Sequence, residues 1–453
     1  MKHLIAAAIG CLVVFSVAVG AAELASTERS APPRFSVLLP AQLEKGVTAG
    51  RVFLFFAANT QGEPRFSSGA SLFGMDAHGV MASQRLALNA ATPGYPEKTL
   101  GALAPGEYVV QAVFNILTEF HRADGHVIWA HMDQWEGQNF ARSPGNLFSE
   151  PQKIRVGAGG PAVIEIRLDK VIPPIDVPTD TAWVKRIKFQ SPLLTKFWGQ
   201  PMFLGATILL PKDYETHPEV RYPVVYLQNH FSLSPPFGFN PTPATEGKKS
   251  WGRQRAEARA SNLPLPDLPP GATATGVYAN TESGAEFYTS WNSAAFPRMI
   301  AVTFQHPTPY FDDSYGVNSP NCGPYGDAIM QELIPELEAR FRTIKAGYAR
   351  VLTGSSTGGW GALALQLYHP DFFGGAWAFS PDPVDFRLYY GGVDLYHDEN
   401  AFVEKTMPGL AGGALMNEWH LNQTEDPLAE AFTAGRAGHG CEKHGAAQTL
   451  QRL

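Results

Sequence analysis

Apolar positions fall into two rhythms along the chain. Over the first third, short runs rich in β-branched and aromatic residues are separated by Gly, Pro and Asn. Arg51-Val-Phe-Leu-Phe-Phe56 is continuous enough for a strand buried on both faces, Glu107-Tyr-Val-Val-Gln-Ala-Val-Phe114 follows a Pro-Gly turn, and Ala162-Val-Ile-Glu-Ile-Arg-Leu168 alternates with period two. No amphipathic helix interrupts them, so residues 31–170 are expected to form a β-sandwich. Ile172-Pro-Pro-Ile-Asp-Val-Pro178 denies both helix and central strand and predicts a linker over 171–182.

From residue 183 the rhythm becomes strand, loop, helix. Phe203–Leu210, Tyr222–Gln228 and Met299–Phe304 read as strands, with a Pro-, Gly- and Ser-rich segment between the second and third. Between Asp327 and Phe341, the residues Ile329, Met330, Leu333, Ile334, Leu337 and Phe341 recur at helical spacing on one stripe, as in a helix lying on a sheet. A strand at 350–353 then runs into Gly354-Ser355-Ser356-Thr357-Gly358 and a helix-compatible stretch. The alternation predicts a largely parallel sheet with helices on both faces.

That last junction carries the candidate chemistry. A serine that attacks a carbonyl stands at the tip of a sharp strand-to-helix turn, where side chains two residues before and after would collide. Gly354 and Gly358 remove both, which makes Ser356 the candidate nucleophile against the plainer reading of a helix N-cap. Ser355 is read as a packing residue beside it and Trp360 as core. Tyr310–Asn318 is polar and aromatic; it is compatible with a cleft wall and with a solvated loop alike.

Composition narrows the partners. The 453-residue chain has a formal net charge of -7 and no Lys/Arg-rich run, which excludes a phosphate-backbone partner. Residues 1–22 show a basic start, an apolar stretch and small residues at Gly20-Ala21-Ala22, the layout of a cleaved signal peptide. The expectation is export to the periplasm or the exterior, without stable membrane insertion after cleavage. Cys11 would leave with that peptide, so Cys322 and Cys441 are the two thiols available for pairing. Neither has a partner at metal-ligand spacing, and no metal or cofactor is expected.

The ordered segments ATILLPKDY (206–214), RYPVVYLQNHF (221–231), QELIPELEARFRT (331–343) and GSSTGGWGALALQLYHPDFF (354–373), followed by AWAFSP (376–381), resemble the putative-esterase branch of the α/β-hydrolases. That group includes the enterochelin esterases and the esterase D and feruloyl esterase groups. The resemblance covers roughly residues 200–390. It implies an α/β-hydrolase domain over 183–453, preceded by the sandwich, here immunoglobulin-like, in an arrangement similar to the enterochelin esterases. It implies a small-molecule carboxylic ester as substrate, Ser356 as nucleophile, and the backbone N–H of Thr357 as one oxyanion donor. The second donor is implied near Phe231 or Ser232; Phe231 stands where the family usually has glycine. His230 is implied to be structural, holding the oxyanion loop.

A serine of this kind needs a base and an orienting acid, which in this fold come from loops after the nucleophile. His397, His420, His439 and His444 are the candidate bases. Asp382, Asp385, Asp394, Asp398 and Asp426 are the candidate acids. None follows a recognisable strand, and each is expected to be a surface residue. Residues 413–453, Gly- and Ala-rich, are atypical, so the expectation is a truncated or altered-frame tail rather than an unusual triad within 382–444. The alternative function is a non-catalytic secreted binding protein with a degenerate hydrolase domain.

Overall fold

The computed structural model describes residues 34–382 apart from 45–46, 59–61, 68, 132–138, 158 and 243–283. Residues 34–171 form two sheets. Val163–Arg167, Arg34–Leu38 and Arg85–Leu88 make the smaller one, in that order. The larger is built around Ala49–Ala57, Ser71–His78 and the long strand Gly106–His121, antiparallel neighbours. Alternate residues of facing strands share one core: Phe35, Val37, Leu86, Leu88, Ile164 and Ile166 from the smaller sheet pack with Val52, Leu54, Phe56, Ala112 and Phe114 from the larger. The intervening Phe53 and Phe55 join Val113 on the opposite face. The uninterrupted apolar run at 51–56 therefore reflects a strand covered on both sides.

Residues 172–181 carry no helix or strand. Beyond them lies a six-stranded sheet in the order Val184–Gln190, Phe203–Leu209, Ile300–Gln305, Val224–Gln228, Arg350–Ser356, Gly375–Pro381. The last four strands are mutually parallel, but the first two pairings are antiparallel. The sheet is thus largely parallel, as expected, with Phe203–Leu209 alone running against the other five strands. The outermost strand was hard to read because Lys185, Arg186 and Lys188 break its apolar pattern, and charge of this kind suits an edge.

Helical segments cover both faces. On one, Ile329, Leu333, Ile334 and Leu337 of the predicted stripe meet Ile208, Tyr226, Val302 and Leu352 of the sheet. On the other, Trp291 of helix Gly284–Asn292 packs on Leu209, Val225 and Ala301. The helix over 325–340 opens into a π turn at Ile329–Leu333, just before Pro335, whose missing N–H could not have closed a regular turn. Glu332 in that turn accepts from the Leu193 amide at 2.9 Å and from the Ser191 hydroxyl, and so anchors the start of helix Pro192–Trp198.

The two units touch away from the linker. Phe120, Ile128 and Ala130, from the end of the long strand and its partner Val127–Ala130, belong to the core of the second unit. Gly199 ends helix Pro192–Trp198 in the left-handed region at φ 68°, and a Cβ there would lie 2.5 Å from the His121 carbonyl oxygen. Only glycine meets both demands.

Candidate active site

Strand Arg350–Ser356 sits between its parallel neighbours Val224–Gln228 and Gly375–Pro381, and helix Thr357–Tyr368 starts directly at its end. Ser356 forms the corner with φ 56° and ψ −126°, a conformation that costs a non-glycine residue about 1–3 kcal/mol. The flanking glycines are required by contact. A Cβ on Gly354 would lie 2.2 Å from the Gly358 carbonyl oxygen, and one on Gly358 would lie 2.1 Å from that of Gln228. The elbow therefore stands on two backbone crossings that no side chain would permit.

Ser356 makes no side-chain cap on the helix that follows, which removes the N-cap reading. Its hydroxyl donates instead to Asp382 Oδ1 at 3.1 Å. Asp382 Oδ2 accepts from the Thr357 hydroxyl at 3.0 Å and from the Tyr315 hydroxyl at 2.9 Å. Three hydroxyls thus converge on one buried carboxylate. The expectation that Asp382 is a surface residue is overturned: it follows the strand beside the elbow, and its own amide donates to the Ser356 carbonyl at 3.3 Å. Ser355, expected to pack, is exposed near the strand's end.

Residues 306–316 form a braced wall beside this corner. The Thr308 hydroxyl accepts from the amides of Tyr310 and Phe311, and His306 Nδ1 accepts from the Ser314 amide at 3.0 Å. Asp313 Oδ1 accepts from the Tyr315 amide at 3.0 Å. The Tyr315 ring meets buried Trp360 edge to face at 5.1 Å, holding its hydroxyl on Asp382. This loop is part of the site rather than a solvated excursion.

His230 lies on the segment leaving strand Val224–Gln228, one residue before Phe231. Its Nδ1 is 2.8 Å from Asp313 Oδ2 and 3.3 Å from Asp312 Oδ1, which ties this segment to the wall. The bonds to Asp312 and then Asp313 outweigh burial and push the imidazole up to about 10, so it is a cation at neutral pH. Burial works to raise Asp312, but the bond from His230 prevails and leaves it below the usual carboxylate range. His230, Asp312 and Asp313 also bring one donor atom each within 4.8 Å of one another, close enough to share a metal.

Thr357 opens the helix, so its amide is among the leading N–H groups that face away from the helical ladder. Phe231 and Ser232 are half-buried, and the Ser232 carbonyl accepts from Gln305 Nε2 at 2.6 Å. Cys322 is buried, and its amide donates to Ser319 Oγ at 2.9 Å. His397, His420, His439, His444, Asp385, Asp394, Asp398, Asp426, Cys441 and the expected signal peptide lie outside the described residues. Among the described residues no helix is long and apolar enough to cross a membrane.

Residues 203–426 match the family described as "Putative esterase". This segment is similar to that family over just under half of the chain. The match runs on past residue 390, where the sequence resemblance fades, and past 413, where the tail was expected to stop resembling the family. No curated protein matches the sequence. Similar solved structures include a ferulic acid esterase at 22% identity, covering 44% of this chain and 59% of that one with a TM-score of 0.26. A ferulic acid esterase from Anaeromyces mucronatus is 17% identical, with 46% and 61% covered and a TM-score of 0.24. The fluorophosphonate-binding serine hydrolase F of Staphylococcus aureus is 14% identical, with 51% and 66% covered and a TM-score of 0.26. The chain thus spans about three fifths of the first two structures.

Proposed function

We propose that the protein is an exported serine esterase that hydrolyses a small-molecule carboxylic ester through an acyl-enzyme on Ser356. The observation that carries this reading is Ser356 itself, exposed at a strained strand-to-helix corner with its hydroxyl already donating to a carboxylate. Ser356 Oγ attacks the ester carbonyl carbon while its proton passes toward Asp382. The carbonyl oxygen becomes an oxyanion, received in this reading by the Thr357 amide and a second amide near Phe231. Collapse expels the alcohol, which takes the proton. Water then attacks the acyl carbon, and its proton returns to Ser356 as the acid departs. His230, tied to Asp312 and Asp313, holds the oxyanion segment and takes no part in proton transfer. The amino-terminal unit is proposed as an immunoglobulin-like sandwich, with the domain boundary at 171–182.

A fluorophosphonate probe tests the reading. The wild-type protein should label once and Ser356→Ala not at all. Labelling that persists in Ser356→Ala would move the nucleophile elsewhere. A wild-type protein that neither labels nor hydrolyses p-nitrophenyl esters would favour a non-catalytic binding protein.

A further inference from the structure

The amino-terminal unit reaches the wall of the candidate site through one buried arginine. Arg122 sits in the tip between strands Gly106–His121 and Val127–Ala130, and its guanidinium is almost wholly enclosed. It pairs with Asp124 in the same tip. Its other contacts cross to the second unit: Nη2 donates to the Pro320 carbonyl at 2.7 Å, and Nη1 reaches Asn321 Oδ1 at 3.4 Å and the Tyr310 hydroxyl at 3.5 Å. A planar fork spans three acceptors on one loop in a way that a point charge cannot.

A second line of contact runs in parallel. Phe120 meets Trp198 edge to face at 5.6 Å, and Trp198 meets Tyr310 in the same manner at 5.6 Å. Both lines end on Tyr310. Two residues on, Asp312 and Asp313 hold His230, and Tyr315 holds Asp382 beneath Ser356. Buried charge is expensive to place, and here it lies against Tyr310, Pro320 and Asn321 on the loop that bears these groups.

We propose that Arg122 is a positioning residue: it clamps the 306–321 loop from the amino-terminal unit and so sets the placement of Asp312, Asp313 and Tyr315 around Ser356. Only the kinetic part of the test rests on Ser356 being the nucleophile. Amide exchange over 306–325 and the titration of the His230 imidazole read the clamp directly.

In the full-length protein, Arg122→Met should raise exchange across 306–325 at least tenfold and leave the strand at 350–356 protected. The His230 midpoint should fall from about 10 toward that of a free histidine as its two carboxylates drift. Labelling of Ser356 should slow by about tenfold or more, as displaced site groups do elsewhere. Arg122→Lys keeps the charge beside Asp124 but not the fork; it should lie between the two, and it serves as the folded comparison if Arg122→Met does not fold. Wild-type exchange and an unshifted His230 in these variants would overturn the clamp and leave Arg122 as packing. A wild-type protein inert to the probe, with exchange and titration behaving as expected, would remove the esterase reading alone.

Discussion

Tyr315 and Asp382 are 67 positions apart, yet the tyrosine hydroxyl donates to Oδ2 of the carboxylate whose Oδ1 accepts from Ser356. The two bonds fix which oxygen is left for the serine, because Oδ2 is already taken by Tyr315 and Thr357.

Removing that constraint should cost activity more than stability. Tyr315→Phe keeps the ring against Trp360 and deletes only the hydroxyl, so kcat should fall about tenfold with little change in KM. Asp382→Asn, which can no longer accept a proton, should fall at least a hundredfold. Steady-state kinetics on a p-nitrophenyl ester separates the two. Equal loss in both variants would argue that Tyr315 acts on Ser356 by some route other than the carboxylate.

The glycine behind the elbow is the most intolerant position. Gly358→Ala puts a methyl 2.1 Å from the Gln228 carbonyl oxygen, a backbone atom that cannot swing aside. The expected result is a loss of roughly 3 kcal/mol or failure to fold. Urea denaturation with intrinsic fluorescence measures it. A near-neutral outcome would mean that strands Val224–Gln228 and Arg350–Ser356 part more easily than their register implies.

The His230 ion pair makes stability fall on the alkaline side. Its folded pKa, about 10, is raised above the free value of about 6.5. The contribution is therefore complete below pH 6.5 and is lost as pH rises toward 10. The Tm of the wild type should drop through that window more steeply than that of His230→Asn. Parallel profiles would place the cation elsewhere.

Arg350 opens the elbow strand, and its Nε and Nη2 both donate to Glu338 Oε1, at 2.9 and 2.7 Å, in a largely buried pair over the Phe372 ring. Glu338→Gln leaves the guanidinium uncompensated and should cost about 3 kcal/mol. Equilibrium unfolding checks this. Replacing both partners with apolar residues of similar volume should recover much of the loss.

Much of the second unit was legible because each element announced itself locally. The stripe at 329–341 needed only helical spacing, and the elbow needed only two glycines flanking a serine after an apolar run. Asp382 had no such signal: nothing in Ser380-Pro381-Asp382 marks it out, and its contacts come from strand Gly375–Pro381 ending beside Ser356. The loop at 306–316 was ambiguous for a similar reason. Thr308, Ser314 and Asp313 are ordinary turn residues whose partners are set by the fold. Two strands of the smaller sheet were hidden too, since Arg34–Leu38 and Arg85–Leu88 are only five and four residues long and lie far apart in the chain. Arg122 could not have been found from sequence, because its acceptors on Pro320 and Asn321 lie nearly two hundred positions away.

The close passage of Gly199 beneath the His121 carbonyl changes what the proline-rich linker is for. A seam that admits no methyl group, flanked by Phe120 and Ile128 in a shared core, joins the halves at a place apart from residues 172–181. The linker then acts as a tether that raises local concentration, while the seam supplies the joint. A protein nicked within 172–181 should migrate as a single particle, and the two fragments should find each other again when mixed.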